Sequence, residues 1–196
     1  MEEIIRDKRL MKISKVLLDN LTEQAKASPR LRINMDLRNS TEDKSQRMLN
    51  AIEPGAVLPI HRHRRSSETV VCLRGRLVEE FYDEMEMMCT ESIELSPDGS
   101  VVALNIPVGQ WHTVRSLESG TVILECKDGA YEPIGPEDIL DVGLVCRLKS
   151  FLEFEARSCS MDPACVSPEY VWRMWGGTVA VEDIAAALDE AKAHLK

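Results

Sequence analysis

Three of the four histidines in this 196-residue chain fall in two short stretches whose residue types suit a metal site. His61 and His63 are separated by one residue, so a β-strand here would point both imidazoles to the same face. Glu68 follows a short polar break and begins an apolar run typical of a return strand. A carboxylate would therefore arrive opposite the two imidazoles. His112 begins a second strand-like run, Thr113 to Leu117.

Three neutral imidazoles and one carboxylate suit Fe(II), Mn(II), Ni(II), Co(II) or Zn(II), and this donor set does not choose among them. Four such side chains fill at most four positions of an octahedron. The remaining positions are open to water or substrate, which is typical of a catalytic rather than a structural site. An isolated histidine on an apolar face is usually a core residue, and an HxH pair alone would be weak evidence.

The two stretches resemble the two signatures of the cupin superfamily. The first signature, G(x)5HxH(x)4E(x)6G, is met at every fixed position by Gly55, His61, His63, Glu68 and Gly75. The second is met in part by Pro107, Gly109 and His112, with its leading glycine displaced to Gly99 and Ser116 in place of the trailing asparagine. The resemblance implies a jelly-roll barrel with His61, His63, Glu68 and His112 as metal ligands.

The flanking sequence resembles the WbuC-type cupin-fold metalloproteins in particular. The similar segments are SPRLRIN at Ser28 to Asn34, QRMLNAIEPG at Gln46 to Gly55, and LECKDGAY at Leu124 to Tyr131. This similarity covers roughly Met11 to Pro133. It implies a homodimer and, because WbuC-type proteins are associated with polysaccharide gene clusters, a sugar or sugar nucleotide as ligand or substrate.

Short apolar runs alternate with turn residues from Met48 to Cys126, which predicts an antiparallel β-sandwich or barrel. The fold class that we predict is mainly β, a cupin (double-stranded β-helix, jelly-roll) barrel with an N-terminal helix and a C-terminal helical extension. The predicted strands are Met48 to Ile52, Ala56 to Ile60, Thr69 to Leu73, Arg76 to Tyr82, Glu91 to Leu95, Val101 to Ile106, Thr113 to Leu117 and Thr121 to Cys126. Lys127 and Asp128 then appear typical of a turn.

Three regions are predicted: residues 1–27 as an extension and helix, 28–133 as the barrel, and 134–196 as a linker and helical extension. Apolar residues at helical spacing predict a helix from Ser14 to Ala27. Ser167 and Pro168 are typical of a helix N-terminus and predict a helix over Glu169 to Trp175. An apolar stripe from Ile184 to Leu195 predicts the last helix. We interpret His194 as facing solvent.

Four further residues are candidates for substrate binding. Arg30 and Arg32 either are solvated surface charges or face the pocket mouth and hold an anionic substrate, since guanidinium suits carboxylate and phosphate. Cys72 and Ser116 share the inward faces of their strands with Glu68 and His112 respectively. Cys72 is interpreted mainly as a buried filler, because free cysteine is commonly a core residue.

The net charge of −9 argues against a general nucleic-acid surface, with the local cluster Arg62, Arg64 and Arg65 as the exception to weigh. No apolar run approaches the ~20 residues needed to span a bilayer, and no secretory signal pattern is present. A cytoplasmic location without membrane partners is therefore expected, with the six cysteines as thiols.

The chemistry favours a metal-dependent enzyme acting on a small polar molecule. Isomerisation or epimerisation through a polarised carbonyl comes first and Fe(II)-dependent oxidation second. The alternative is a binding module that senses a small ligand without turnover, since the sequence names no general base beside the ligands. A third reading places the function in Cys146 to Lys196, with the barrel as a dimer platform.

Overall fold

The computed structural model describes residues 10–85, 88–158, 161–175, 177 and 179–195. Within them, two five-stranded antiparallel sheets pack face to face. Sheet A has, in spatial order, β1 (Arg32–Asp36), β2 (Ser45–Ile52), β9 (Thr121–Asp128), β4 (Glu68–Arg74) and β7 (Ala103–Ile106). Sheet B has β10 (Ile139–Leu140), β3 (Ile60–His61), β8 (Trp111–Ser116), β5 (Leu77–Asp83) and β6 (Met88–Leu95). The predicted mainly β jelly-roll fold is confirmed.

The space between the sheets is apolar at one end and polar at the other. Strand alternation sends every second side chain inward. On β4 the buried inward residues run from Glu68 through Val70 to Cys72, and on β9 they run from Ile123 to the polar Glu125. The apolar end holds the core, which is formed by Ile52, Ala56, Val70, Cys72, Leu77, Leu95, Ile106, Val114 and Ile123. The polar end holds the candidate site.

Helix α1 (Lys15–Ala27) covers the outer face of sheet A. The hydroxyl of Ser14 accepts a hydrogen bond from the backbone N–H of Leu17 and caps the helix. Leu18, Leu21 and Ala25 recur at helical spacing and pack on Leu49, Ala51 and Val122. Each leucine buried in this way contributes about 1.5–3 kcal/mol. The predicted N-terminal helix is therefore present, while residues 1–9 of the predicted extension lie outside the described part of the chain.

The C-terminal extension contains α2 (Gly143–Ser158), α3 (Pro168–Met174) and α4 (Val181–Ala193). Leu148, Phe151 and Leu152 of α2 and Ile184 and Leu188 of α4 share one buried cluster. The side chain of Ser167 caps α3 as its sequence predicts. The helical nature of the extension is confirmed. The three-region division remains a prediction, and strand β10 shows that residues beyond Pro133 also join sheet B.

Two strands were missed and one predicted strand is largely absent. Strand β1 was missed because its sequence is polar. Arg32 and Asn34 line a cavity instead of the core, while Ile33 and Met35 pack towards α1. The predicted strand Ala56 to Ile60 is wrong apart from Ile60, because this segment crosses from sheet A to sheet B and joins neither ladder. The missed β10 is a two-residue pairing with β3, too short to give a sequence pattern.

Candidate metal centre

The four residues at the polar end converge from both sheets. His61 and His112 are register partners on β3 and β8, and their ring centroids are 4.5 Å apart. The ring of His63 is 4.9 Å from that of His61 and 5.7 Å from that of His112. Glu68 is the first residue of β4 and approaches from sheet A. One ligand atom from each residue lies within 4.8 Å of the others, so this group could hold a metal ion.

Backbone contacts hold the two sequence motifs together. The backbone N–H of Gly109 donates to the carbonyl oxygen of His63 at 2.9 Å. Gly109 has a φ of +81°, which glycine adopts at little cost. This bond fixes the loop before His112 against the segment that carries His61. The second motif therefore places its histidine in register with the first.

The ring nitrogens show that the site fits a cation. Nδ1 of His61 lies 3.1 Å from the carbonyl oxygen of Pro59, and Nδ1 of His112 lies 2.9 Å from that of Gln110. A carbonyl only accepts, so each Nδ1 carries a proton, and Nε2 of each ring in its neutral form can bind a cation. A backbone carbonyl on the second ring nitrogen is the usual arrangement around metal-ligating histidines.

The carboxylate of Glu68 faces two of the histidine side chains. Its Oε2 lies 2.9 Å from Nε2 of His63 and 3.5 Å from Nε2 of His112. This oxygen is buried and has no hydrogen-bond donor among the described residues. Acceptor atoms at such distances repel one another unless a proton or a cation lies between them. The donor set and this orphaned oxygen therefore fit a divalent metal.

The pKa values of His61 and Glu68 favour the protonation states that bind a cation. Burial and the neighbouring His112 lower the pKa of His61 to about 3, so this imidazole is neutral. Burial alone would raise the pKa of Glu68, but contacts with His112, His63 and Lys127 outweigh it and hold the pKa well below its usual range. Glu68 is therefore ionised.

Two side chains of β9 complete the wall beside the ligands. Nζ of Lys127 lies 3.3 Å from Oε1 of Glu68, 3.4 Å from Oε2 of Glu125 and 3.4 Å from Nε2 of His63. Burial and the charge of Glu68 raise the pKa of Glu125 to about 7, against the opposing charge of Lys127. Interpreting Lys127 and Asp128 as a turn was wrong, because β9 continues to Asp128. The alternation Ile123, Glu125, Lys127 was the signal in the sequence.

Glu79 is a further buried carboxyl that the sequence analysis missed. It lies on β5 between Leu77 and Phe81, which both pack in the core, and is 1% exposed. Its Oε2 has no hydrogen-bond partner among the described residues. Burial, followed by the charges of Glu68 and Glu125, raises its pKa well above the usual range. Glu79 is therefore protonated in the barrel interior.

A cavity of about 770 Å³ opens over the candidate site. Its wall includes His61, His63, Glu125 and Lys127, while Glu68 and His112 lie deeper. The other polar side chains that line it are Arg30, Arg32, Asn34, Gln46, Asn50, Arg62, Arg64, Arg65, Ser66, Asp128, Tyr131, Glu132, Glu137 and Asp138. Its volume suits a small molecule.

The four predicted substrate-binding residues occupy different places. Arg30 and Arg32 line the cavity. Nε of Arg32 is buried and has no hydrogen-bond partner among the residues that the structure describes. Burial together with the charge of Arg30 lowers the pKa of Arg32. Cys72 and Ser116 are buried and do not line the cavity: Cys72 packs in the core and Ser116 donates to the carbonyl of Glu118. Burial raises the pKa of the Cys72 thiol to about 11. All four roles remain predictions.

The arginines between and after the two histidines are paired with acidic residues. Arg62 and Arg64 both contact Asp138, and Arg65 donates to Glu132 at 2.8 Å. These contacts hold the segment 132–138 along the edge of the cavity. The cluster of arginines that we considered as a local nucleic-acid surface thus contacts a wall of the cavity through ion pairs.

The two facing sheets form a jelly roll, and His61, His63, Glu68 and His112 converge at one end of it as a candidate metal site. The model of the family described as Domain of unknown function (DUF6016) matches residues 13–95. No curated protein matches the chain. Within the described residues, no helix combines the length and apolar character needed to cross a membrane.

Solved structures of cupin proteins resemble part of the chain. KdgF from Halomonas sp. is 17% identical, with a TM-score of 0.43, over 53% of this chain and 84% of that one. A sugar phosphate isomerase of the cupin superfamily from Silicibacter pomeroyi is 19% identical, with a TM-score of 0.41, over 50% and 59%. The capsular polysaccharide assembling protein CapF from Staphylococcus aureus is 22% identical, with a TM-score of 0.40, over 54% and 27%. The WbuC-type resemblance, the homodimer and the cytoplasmic location remain predictions.

Proposed function

We propose that this protein is a metal-dependent enzyme that binds a divalent transition metal through His61, His63, Glu68 and His112. The observation that carries the proposal is the buried Oε2 of Glu68, which faces histidine nitrogens and has no hydrogen-bond donor in the described part of the chain. A bound divalent cation would supply Lewis acidity that polarises a substrate carbonyl or a water molecule. Fe, Mn, Ni, Co and Zn all suit the donor set.

The substrate class that the cavity favours is a small polar molecule with an anionic group. Arg30 and Arg32 line the cavity, and guanidinium groups bind phosphate and carboxylate oxygens through paired hydrogen bonds. Asn34, Gln46 and Asn50 offer amides suited to hydroxyl groups. A sugar phosphate or sugar nucleotide meets these requirements, in agreement with the sequence resemblance.

An enzyme also needs groups that exchange protons with the substrate, and these were missing from the sequence analysis. Glu125 and Lys127 line the cavity and contact each other beside the candidate ligands. Their position supports isomerisation or epimerisation, in which a proton moves between neighbouring atoms of the substrate. The alternative, a sensing module without turnover, would need neither side chain at this place.

The first experiment is elemental analysis of protein purified without chelator. We expect near-stoichiometric metal in the wild type and in the control variant His194→Ala, whose imidazole is exposed on the C-terminal side of α4. We expect metal loss in His61→Ala/His63→Ala. An empty wild-type protein that also refuses to reload with Fe(II), under anaerobic conditions, or with Mn(II), Co(II), Ni(II) or Zn(II) would overturn the metal proposal.

Turnover is tested separately on the reloaded protein with sugar phosphates and sugar nucleotides. We expect metal-dependent product in the wild type and loss of product in Glu125→Gln with the metal retained. Ligand-induced stabilisation without product across the panel would instead establish the sensing module.

A further inference from the structure

Three side chains on the outer side of sheet B join the two segments that carry the candidate metal ligands. They are Arg62, Glu84 and Trp111, and we call them the outer clamp. Arg62 lies between the two histidines of the first motif, and Trp111 immediately precedes His112. Neighbouring side chains on an extended segment point to opposite faces, so Trp111 packs on the outer face of sheet B while His112 faces the metal site.

Each member of the outer clamp contacts the other two. The guanidinium carbon of Arg62 lies 4.3 Å from the ring centroid of Trp111. Oε2 of Glu84 accepts a hydrogen bond from Nε1 of Trp111 at 2.6 Å and another from a terminal nitrogen of Arg62 at 3.2 Å. Nε of Arg62 also donates to Oδ1 of Asp138 at 3.0 Å. These contacts tie the first motif to the second on the side away from the ligands.

The backbone gives only a short connection between the same two segments. Strand β3 is two residues long, and its register with β8 is the single pair His61 and His112. The bond from Gly109 to His63 adds one further backbone contact. The outer clamp supplies a connection through side chains, at positions directly adjacent to ligands of both motifs.

We propose that Arg62, Glu84 and Trp111 are positioning residues that set the affinity of the metal site by holding its two ligand-bearing segments together. The residues that could hold the metal are the three histidines and Glu68, so the outer clamp acts through the backbone. Loss of a side chain that orients metal ligands typically changes metal affinity by about 10–100-fold. The inference rests on the proposed metal site and names residues outside the ligand set that control it.

Charge and positioning predict opposite effects for Arg62. In Arg62→Met, the carboxylates of Glu84 and Asp138 lose a cationic partner, so charge alone would tighten the binding of a divalent cation nearby. Loss of positioning weakens this binding instead. We expect Arg62→Met to bind Mn(II) and Co(II) at least about tenfold more weakly than the wild type, in calorimetric titrations of full-length, metal-free protein.

Two further substitutions isolate the hydrogen bond between Trp111 and Glu84. Trp111→Phe changes no charge and keeps an aromatic ring, but it loses this bond, so metal binding should weaken by about tenfold. Glu84→Met and Glu84→Gln remove the same charge, and only glutamine keeps an oxygen that accepts from Trp111. We therefore expect Glu84→Gln to bind metal more tightly than Glu84→Met. The matched control is Trp172→Phe, at an exposed tryptophan of α3, which should bind metal as the wild type does.

The absorption spectrum of the Co(II)-saturated protein separates positioning from general destabilisation, because it follows the coordination geometry. We expect shifted bands in Arg62→Met and Trp111→Phe. Residues with a merely structural role would lower the melting temperature and leave both the Co(II) affinity and the spectrum unchanged. Circular dichroism verifies that the variants are folded.

Two results would overturn the inference, and they differ in what they say about the metal site. Wild-type affinity and spectrum in folded Arg62→Met and Trp111→Phe would overturn the role of the outer clamp and leave the metal site intact. A wild-type protein that binds neither Mn(II) nor Co(II) would overturn both.

Discussion

Nζ of Lys127 lies 3.3 Å from Oε1 of Glu68 and 3.4 Å from Nε2 of His63. The ammonium group therefore contacts one oxygen of the carboxylate, while the other oxygen, Oε2, faces Nε2 of His63 and Nε2 of His112. Lys127 compensates the buried carboxylates of Glu68 and Glu125, and a divalent metal would add positive charge beside it. The lysine thus stabilises the metal-free state more than the metal-bound state.

Replacing this lysine should destabilise the metal-free protein. In Lys127→Met, the buried carboxylates lose their partner, and breaking a buried ion pair in this way costs about 3–5 kcal/mol. The cation then meets uncompensated negative charge, so the metal-induced rise in melting temperature should be larger than in the wild type. Thermal melts with chelator and with saturating Mn(II) or Zn(II) measure both effects.

The control for this prediction is Lys26→Met, which removes an exposed lysine paired with Glu23 on α1. It should behave as the wild type, because exposed pairs contribute little. A metal-induced shift in Lys127→Met equal to the wild-type shift would contradict the prediction.

Arg32 should contribute more than Arg30 to anion binding, because Arg32 is half-buried in the cavity wall whereas Arg30 is exposed to solvent. We expect Arg32→Ala to weaken binding of a sugar phosphate at least tenfold and Arg30→Ala to weaken it less, as measured by calorimetry on metal-loaded protein. Arg173→Ala serves as the distant control. Equal affinities of the wild type and Arg32→Ala for the sugar phosphate would show that Arg32 does not contribute to anion binding.

Gly75 requires the absence of a side chain for two reasons. Its φ is +79°, and a Cβ would lie 2.4 Å from Oγ1 and 2.7 Å from Cα of Thr121. Gly129 has a similar φ of +89° but nothing within 4 Å of such a Cβ. The left-handed backbone alone costs a non-glycine residue about 1–2 kcal/mol. We expect Gly129→Ala to lose about that much and Gly75→Ala distinctly more, in denaturant unfolding monitored by circular dichroism. Equal losses of stability in the two variants would show that the close contact with Thr121 adds no destabilisation.

Because of Glu79, the free energy of unfolding should decrease as pH rises. Its folded pKa is raised by burial and by the charges of Glu68 and Glu125, so the folded protein retains a proton that the unfolded chain loses above about pH 4.3. The free energy of unfolding therefore decreases as pH rises from there towards the folded pKa. Glu79→Gln cannot titrate. Its stability relative to the wild type should rise by up to about 1.4 kcal/mol per pH unit in this window.

This prediction is measured on chelator-treated protein by urea unfolding from pH 5 to pH 8, because a bound cation would favour the ionised form of Glu79. Glu91→Gln, on the exposed face of β6, is the control and should show no such trend. A difference between Glu79→Gln and the wild type that stays constant with pH would contradict a protonated Glu79.

The sequence by itself determined the helices and strands whose residue spacing or capping residues identify them locally. The spacing of Leu18, Leu21 and Ala25 predicted α1, and the Ser167 cap predicted the start of α3. Alternation and turn residues predicted most strands and an antiparallel sandwich or barrel, and the resemblance to the cupin signatures implied the jelly roll. Residue types and spacing singled out His61, His63 and Glu68, because side chains two residues apart on a strand share a face. The same resemblance implied His112 as the fourth ligand.

Only the tertiary structure placed residues whose surroundings come from distant parts of the chain. Strand β1 and Lys127 looked like loop and turn because their polar side chains face a cavity, and local pattern does not distinguish a cavity wall from solvent. Glu79 and Arg115 lie on opposite faces of sheet B, and their burial depends on the facing sheet and on α2 respectively. Burial is set by what packs against a strand, and that partner is separated from it by many residues in sequence.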